Sequence, residues 1–147
     1  MSINRQLPGP PVEICKFDTI VVDVVNEIEG SSTTIHWHGY AQDHFPFMDG
    51  VPYISQCPIS HGETFRYEFK AVQKGTFFYH SHAGHQKANG VQGAFIVRES
   101  EDQKLYDFDL SEHVMILADW MDVMTEDYFP GPRNESTMPH NLLINGR

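Results

Sequence analysis

The chain has 147 residues, 40% of them hydrophobic, which is enough for one sizeable core and tight for two complete domains. With 20 acidic against 10 basic residues the net charge is -10, and this argues against a phosphate backbone or an anionic membrane surface as partner. No apolar run approaches the roughly 18 to 20 residues of a membrane span. The longest candidates, Thr19–Val25 and residues 91–97, are the size of strands.

Residues 1–8 lack the apolar stretch of a secretory leader, so nothing in the sequence as written directs export. Strand signals then follow one another at residues 12–15, Thr19–Val25 and 33–38. The segment Thr64–Lys70 alternates strictly, with Phe65, Tyr67 and Phe69 on one face and Arg66, Glu68 and Lys70 on the other, the period of a half-buried strand. Residues 76–82 and 94–97 continue the series. Between them lie turn-forming stretches at residues 8–11, 29–32, 48–50 and 74–75. Many short strands predict an all-β sandwich or barrel.

Composition shifts after residue 98. Residues 99–112 are polar and acid-rich and read as a linker, and 113–120 read as a buried strand that opens something new. A long irregular stretch follows over 121–141, with Pro130, Pro132 and Pro139 and a short helical turn expected near residues 125–128. Residues 142–145 look like a further strand. So long a loop is uncommon inside a compact domain, and 113–147 is therefore read as the beginning of a second, incomplete domain.

Two cysteines, Cys15 and Cys57, could pair with each other, pair elsewhere or stay free, and their spacing does not decide. The sequon Asn134-Glu135-Ser136 matters only in a secreted protein.

The nine histidines carry the chemistry. Four of them form two identical patterns, His36-Trp37-His38 and His80-Ser81-His82. On a strand, residues i and i+2 project from the same face roughly 6 to 7 Å apart, so each pattern aims two imidazoles at one place. A lone histidine reads more readily as a surface or hydrogen-bonded core residue. Two pairs, each followed closely by a glycine (Gly39 and Gly84), favour a metal, because four buried imidazoles without a common partner leave many polar atoms to satisfy. Neutral imidazole suits copper, zinc, iron or nickel. Two rivals are weaker. His80-Ser81-His82-Ala83-Gly84-His85 lacks the aspartate of a metallo-β-lactamase string, and Cys57 with His61 has the spacing of a blue-copper pair but no methionine close behind. His44, His61, His113 and His140 are expected to be ordinary surface or hydrogen-bonded core residues.

Taken together, Thr34-Ile35-His36-Trp37-His38-Gly39, Met48-Asp49-Gly50-Val51, Gln56-Cys57-Pro58-Ile59, the run from Gly75 through His80-Ser81-His82 to Gln86, and Gly90-Val91-Gln92-Gly93 resemble, in order and spacing, the N-terminal domain of multicopper oxidases of the laccase type. Leu105-Tyr106-Asp107-Phe108-Asp109 and residues 113–120 are similar to the entry into the second domain of arthropod laccases. The resemblance implies a cupredoxin-like Greek-key β-sandwich or barrel over residues 1–98, followed by the start of a second cupredoxin domain. It implies copper: His36 resembles a type 2 ligand, His38 and His80 the ligands of one type 3 copper, and His82 a ligand of the other. Asp49 resembles an acidic residue that relays protons when dioxygen is reduced to water, although Asp49-Gly50 also reads simply as a turn.

The same resemblance implies that the other cluster ligands and the type 1 site lie in a C-terminal cupredoxin domain of the same protein, to which Cys57 could be tied. The parent enzyme is then extracellular and takes electrons from diphenols or aromatic amines, and this chain alone is expected to be inactive. A ferroxidase of the same family and a stand-alone copper-binding module are the alternatives. The chain departs from the family pattern at His85, where relatives often carry an apolar residue, and at Lys87-Ala88-Asn89, which stands for a more usual Arg-Ala-Asp; neither is expected to touch the ligand set.

Overall fold

A computed structural model describes residues 1–102, 113–125, 131 and 138–147. Among these residues eight strands run in chain order: β1 (Gly9–Cys15), β2 (Thr19–Val25), β3 (Ile35–His38), β4 (Thr64–Lys70), β5 (Gly75–Ser81), β6 (Gln92–Arg98), β7 (Leu117–Trp120) and β8 (Asn141–Ile144), with a short 3-10 turn at Pro46–Met48. The all-β expectation holds. β1, β6, β5 and β3 form one sheet in that order, β2 pairs with β4, and β7 pairs with β8.

The first two sheets stack as the layers of a sandwich because the alternating residues of each point at the other. Trp37 of β3, Tyr79 of β5 and Phe95 and Val97 of β6 meet Ile20 of β2 and Tyr67 and Phe69 of β4, all of them buried. Trp37 is the hub. Its ring lies edge-on to Tyr67 at 5.8 Å, Phe69 at 5.1 Å and Phe95 at 5.2 Å, the separations at which aromatic pairs add to simple burial.

β2 and β4 fall where the sequence places them, and in β4 the burial follows the predicted alternation: Tyr67 and Phe69 are buried while Arg66, Glu68 and Lys70 are exposed. Arg66 and Asp23 face each other across the solvent side of this pair at 2.7 Å. The turn expected at residues 8–11 is instead the start of β1, which runs parallel to β6 with an irregular register between Gly9 and Val12. Pro10 and Pro11 are tolerated there because β1 is the edge of its sheet.

The buried strand expected over 113–120 is also corrected. Only Leu117–Trp120 pairs as a strand, and its residues alternate between exposed and half-buried. Ala118, Trp120 and Leu143 look toward Leu7, Pro8 and Gly90 of the sandwich. The opposite face of the hairpin leaves Met115, Leu117, Leu142 and Ile144 exposed. Of the helical turn expected near 125–128, Thr125 alone is described, and it is held by hydrogen bonds from its backbone N–H and hydroxyl to Asn89 Oδ1. The remainder of that turn, most of the proposed linker, residues 105–108 and the sequon at Asn134 lie outside the described residues.

Two buried phenols brace the sandwich, Tyr67 between its layers and Tyr79 within the larger sheet. Tyr67 accepts from Ile35 N–H and donates to Gln56 Oε1, and Tyr79 donates to the Pro10 carbonyl. Burial pushes both hydroxyls up to about 12 from the usual 10. Between those values the unfolded chain has released protons that the folded chain still holds, so stability is full below pH 10 and falls as pH rises toward about 12. Urea midpoints measured across that range should fall steeply, and Tyr67→Phe should flatten the dependence; an unchanged slope in this variant would mean that Tyr67 is not the group responsible.

Candidate metal centre

The register between β3 and β5 decides where the histidines go. His36 stands directly opposite His80, Trp37 opposite Tyr79 and His38 opposite Phe78. With a period of two, His36, His38, Phe78 and His80 therefore share one face of the sheet, while Trp37 and Tyr79 take the other and enter the core. The ladder extends one step beyond β5, since His82 N–H donates to the Thr34 carbonyl at 3.3 Å. That step brings the His82 ring onto the same face.

The four rings gather. His36 lies 5.6 Å from His38, 5.5 Å from His80 and 5.3 Å from His82 between ring centroids. His38 lies 5.2 Å from His80, and His80 lies 6.0 Å from His82. Among the described residues, His36, His38 and His80 form the one group whose ligating atoms all approach within 4.8 Å of one another. His82 stands beside this trio rather than inside it.

Individual atoms are already directed. His36 Nδ1 is 2.7 Å from the Asp49 carbonyl and His80 Nδ1 is 2.7 Å from the Ser81 carbonyl; a protonated Nδ1 in each leaves Nε2 with a free lone pair. His38 Nδ1 and His80 Nε2 face each other at 3.0 Å. Metal–imidazole bonds of about 2.0 to 2.1 Å place two ligand nitrogens of one ion about 3 Å apart, so this spacing suits a shared ion. The donor set is all nitrogen, which suits copper and does not suit a hard cation.

Two of the rings, His80 and His38, are biased toward the neutral form that ligation requires. Burial pulls His80 down to about 4, and the nearby Lys87, His36 and His38 act in the same direction. His38 is also lowered, first by desolvation and then by His36, Lys87 and His82. His80 is buried, His36 is partly covered, and His38 and His82 are exposed, so the cluster is walled on one side and open on the other.

Asp49 follows the 3-10 turn and places Oδ1 3.3 Å from His36 Nδ1 as well as presenting its carbonyl to that atom. Gly50 makes this possible: with φ at +79°, it runs so close under β3 that a Cβ there would stand 1.8 Å from the Ile35 carbonyl oxygen. Lys87 stands beside the cluster without a hydrogen bond to a ligand among the described residues. Its ammonium sits 5.0 Å above the Phe78 ring, which stacks on His38 at 4.5 Å. Gln86, Ser81 and Phe78 also border the histidines, although the sequence marks them only as parts of a longer motif.

His44, His61, His113 and His140 are exposed, as expected. Cys15 and Cys57 are both exposed and do not pair with each other. Among the described residues, neither the string ending at His85 nor the Cys57–His61 pair assembles three ligating groups.

Comparison with known proteins agrees with this geometry. The family model described as multicopper oxidase matches residues 1–102. L-ascorbate oxidase of Nicotiana tabacum is 39% identical over 152 residues, covering 100% of this chain and 26% of that protein. Laccase-1 of Fomitopsis schrenkii is 41% identical over 147 residues, covering 95% of this chain and 26% of that protein. The crystal structure of Fet3p, a multicopper oxidase that functions in iron import, superposes with a TM-score of 0.82 at 32% identity, over 97% of this chain and 28% of that one. The chain thus spans about a quarter of the length of the relatives it matches. With a cupredoxin-like sandwich, a cluster of imidazoles on one of its sheets and a family match over most of its residues, this chain belongs to the multicopper oxidases.

Proposed function

We propose that His36, His38, His80 and His82 are copper ligands forming one wall of an oxygen-reducing centre. In this reading Nε2 of His36 serves a type 2 copper, His38 Nδ1 and His80 Nε2 share one type 3 copper, and His82 serves the other. The observation that carries it is the 3.0 Å approach of two imidazole nitrogens from adjacent strands, flanked by the rings of His36 and His82. Copper, when bound, supplies one-electron chemistry through which four electrons and four protons convert dioxygen to two waters. The chain's own part is to hold the ligands oriented and to favour the neutral form of His38 and His80. Asp49 fixes the His36 tautomer through its carbonyl, and its half-exposed carboxylate can take a proton from solvent and pass it on at Oδ1.

The open side of the cluster, at His38 and His82, is where the remaining ligands enter from a further domain of the same protein. The division into a first domain at 1–98, a linker at 99–112 and the opening of a second domain at 113–147 belongs to this reading. The exposed apolar face of the β7–β8 hairpin supports it, since a two-stranded sheet needs a further layer to be stable. The donor proposed is a diphenol, oxidised outside the cell. Ascorbate and ferrous iron are the competing donors that the names of the relatives bring.

The test uses protein expressed from the complete coding sequence. Replacing His36 and His80 together by alanine should lower bound copper by at least the ions they serve and reduce oxygen uptake at least a thousandfold, with the circular dichroism unchanged. Unaltered copper content would end the proposal. Oxygen uptake with diphenol, ascorbate and ferrous iron in turn identifies the donor, and a rate with diphenol below both others would overturn the laccase-type assignment.

A further inference from the structure

Gln86 lies outside both His-x-His patterns, on the turn that follows β5, and its side chain is buried with 2% exposure. Its Oε1 accepts from Ser81 Oγ at 2.7 Å and from Thr33 Oγ1 at 2.8 Å. Its Nε2 donates to the Ser32 carbonyl at 2.9 Å and to Ser31 Oγ at 3.1 Å. Two lone pairs and two N–H groups are the whole capacity of a primary amide, so every polar site of Gln86 is engaged.

The partners are not a random set. Residues 31–33 lead directly into β3, which carries His36 and His38, and Ser81 separates His80 from His82. Ser81 Oγ also accepts from Ala83 N–H at 3.1 Å, which shapes the turn after His82, and the Ser81 carbonyl faces His80 Nδ1 at 2.7 Å. One amide therefore joins the entry of the first histidine strand to the residue between the second pair. The hydroxyls it binds are themselves buried, Ser81 at 3% and Thr33 at 4% exposure. The two hydroxyls also lie 3.1 Å from each other, so loss of the amide would remove the acceptor they share and leave one to donate to the other, drawing their strands into a different spacing.

We infer that Gln86 is a positioning residue of the copper centre, setting the spacing of the two histidine pairs through Ser81 and Thr33. This rests on the copper reading above. A glutamine that merely filled core volume would be replaceable by an apolar residue of similar length without effect on the metal. A glutamine that sets ligand spacing would not.

The experiment uses protein from the complete coding sequence, loaded with copper, and compares Gln86→Met, Ser81→Ala and a control, Val97→Ala, which removes core volume from β6 at a residue 1% exposed and without contact to the histidines. Copper affinity is measured by competition with a chelator, the ligand field by electron paramagnetic resonance, and stability by urea unfolding. Gln86→Met should weaken copper binding about tenfold or more and change the resonance, the scale typical of groups that orient metal ligands. Ser81→Ala should give a smaller change in the same direction, and it decides the matter should Gln86→Met fail to fold. Val97→Ala should lower stability while leaving affinity and spectrum as in the wild type.

If Gln86→Met or Ser81→Ala loses stability but keeps wild-type affinity and resonance, Gln86 is structural and the inference fails while the copper reading stands. If the wild type itself binds no copper, both fail together, and the histidine double variant identifies that case by matching it.

Discussion

Gly50→Ala is expected to be among the most damaging single methyl groups that can be added to this chain, lowering stability by about 2 to 5 kcal/mol. Part of that is the left-handed backbone, which costs a non-glycine residue about 1 to 2 kcal/mol. The larger part is collision. The added carbon would stand 1.8 Å from the Ile35 carbonyl oxygen, 2.5 Å from its carbon and 2.9 Å from His36 N. These are backbone atoms of a paired strand, so nothing can rotate aside, and overpacking of this kind costs about 1 to 3 kcal/mol. A domain has about 5 to 15 kcal/mol in all. Gly84→Ala is the comparison, because that residue also has positive φ but nothing within 4 Å of its added carbon. Urea midpoints should fall far more for Gly50→Ala, and copper should be lost with them because His36 must move. Equal midpoints for the two variants would show that the close approach to β3 does not constrain the fold.

Trp37→Ala is expected to cost about 3 to 5 kcal/mol, the usual scale for emptying a buried aromatic site. The ring is 1% exposed and contacts Tyr67, Phe69, Tyr79 and Phe95. Trp37→Phe should cost much less. It keeps an aromatic ring in the site and discards an indole N–H that has no hydrogen-bond partner among the described residues. The position also separates core from centre, since Trp37 sits between His36 and His38 but points the other way. Calorimetry should therefore find a large drop for alanine and a small one for phenylalanine, with both folded forms retaining copper. A phenylalanine variant as unstable as the alanine one would mean that the indole makes an interaction absent from this account.

The same alternation explains what could be read from the residues alone. In β2 and β4 one face is wet and the other dry, so Thr19–Val25 and Thr64–Lys70 announce both their type and their limits. The histidine pairs were legible for the same reason, because a repeat of two on a strand leaves no choice of side. Convergence of the pairs follows once their two strands lie side by side, and the register that sets His36 against His80 supplies that. Gln86 was hidden because its partners lie five positions away at Ser81 and more than fifty away at residues 31–33. Pro10 and Pro11 misled because proline chemistry is the same in a turn as on an edge strand, and only the sheet order distinguishes them. Lys87 acts on His38 and His80 by its charge at a distance, which residue type alone does not reveal.

The border of the larger sheet at β3 has one more effect. An unpaired rim is ordinarily an invitation to a stray strand from another molecule. Here the outward N–H of Ile35 is taken by the Tyr67 hydroxyl, its carbonyl is roofed by Gly50, and the Trp37 carbonyl accepts from Tyr40 N–H. The loop that steadies the first histidine thus also covers part of this rim, and loosening it should endanger solubility as well as the placement of His36.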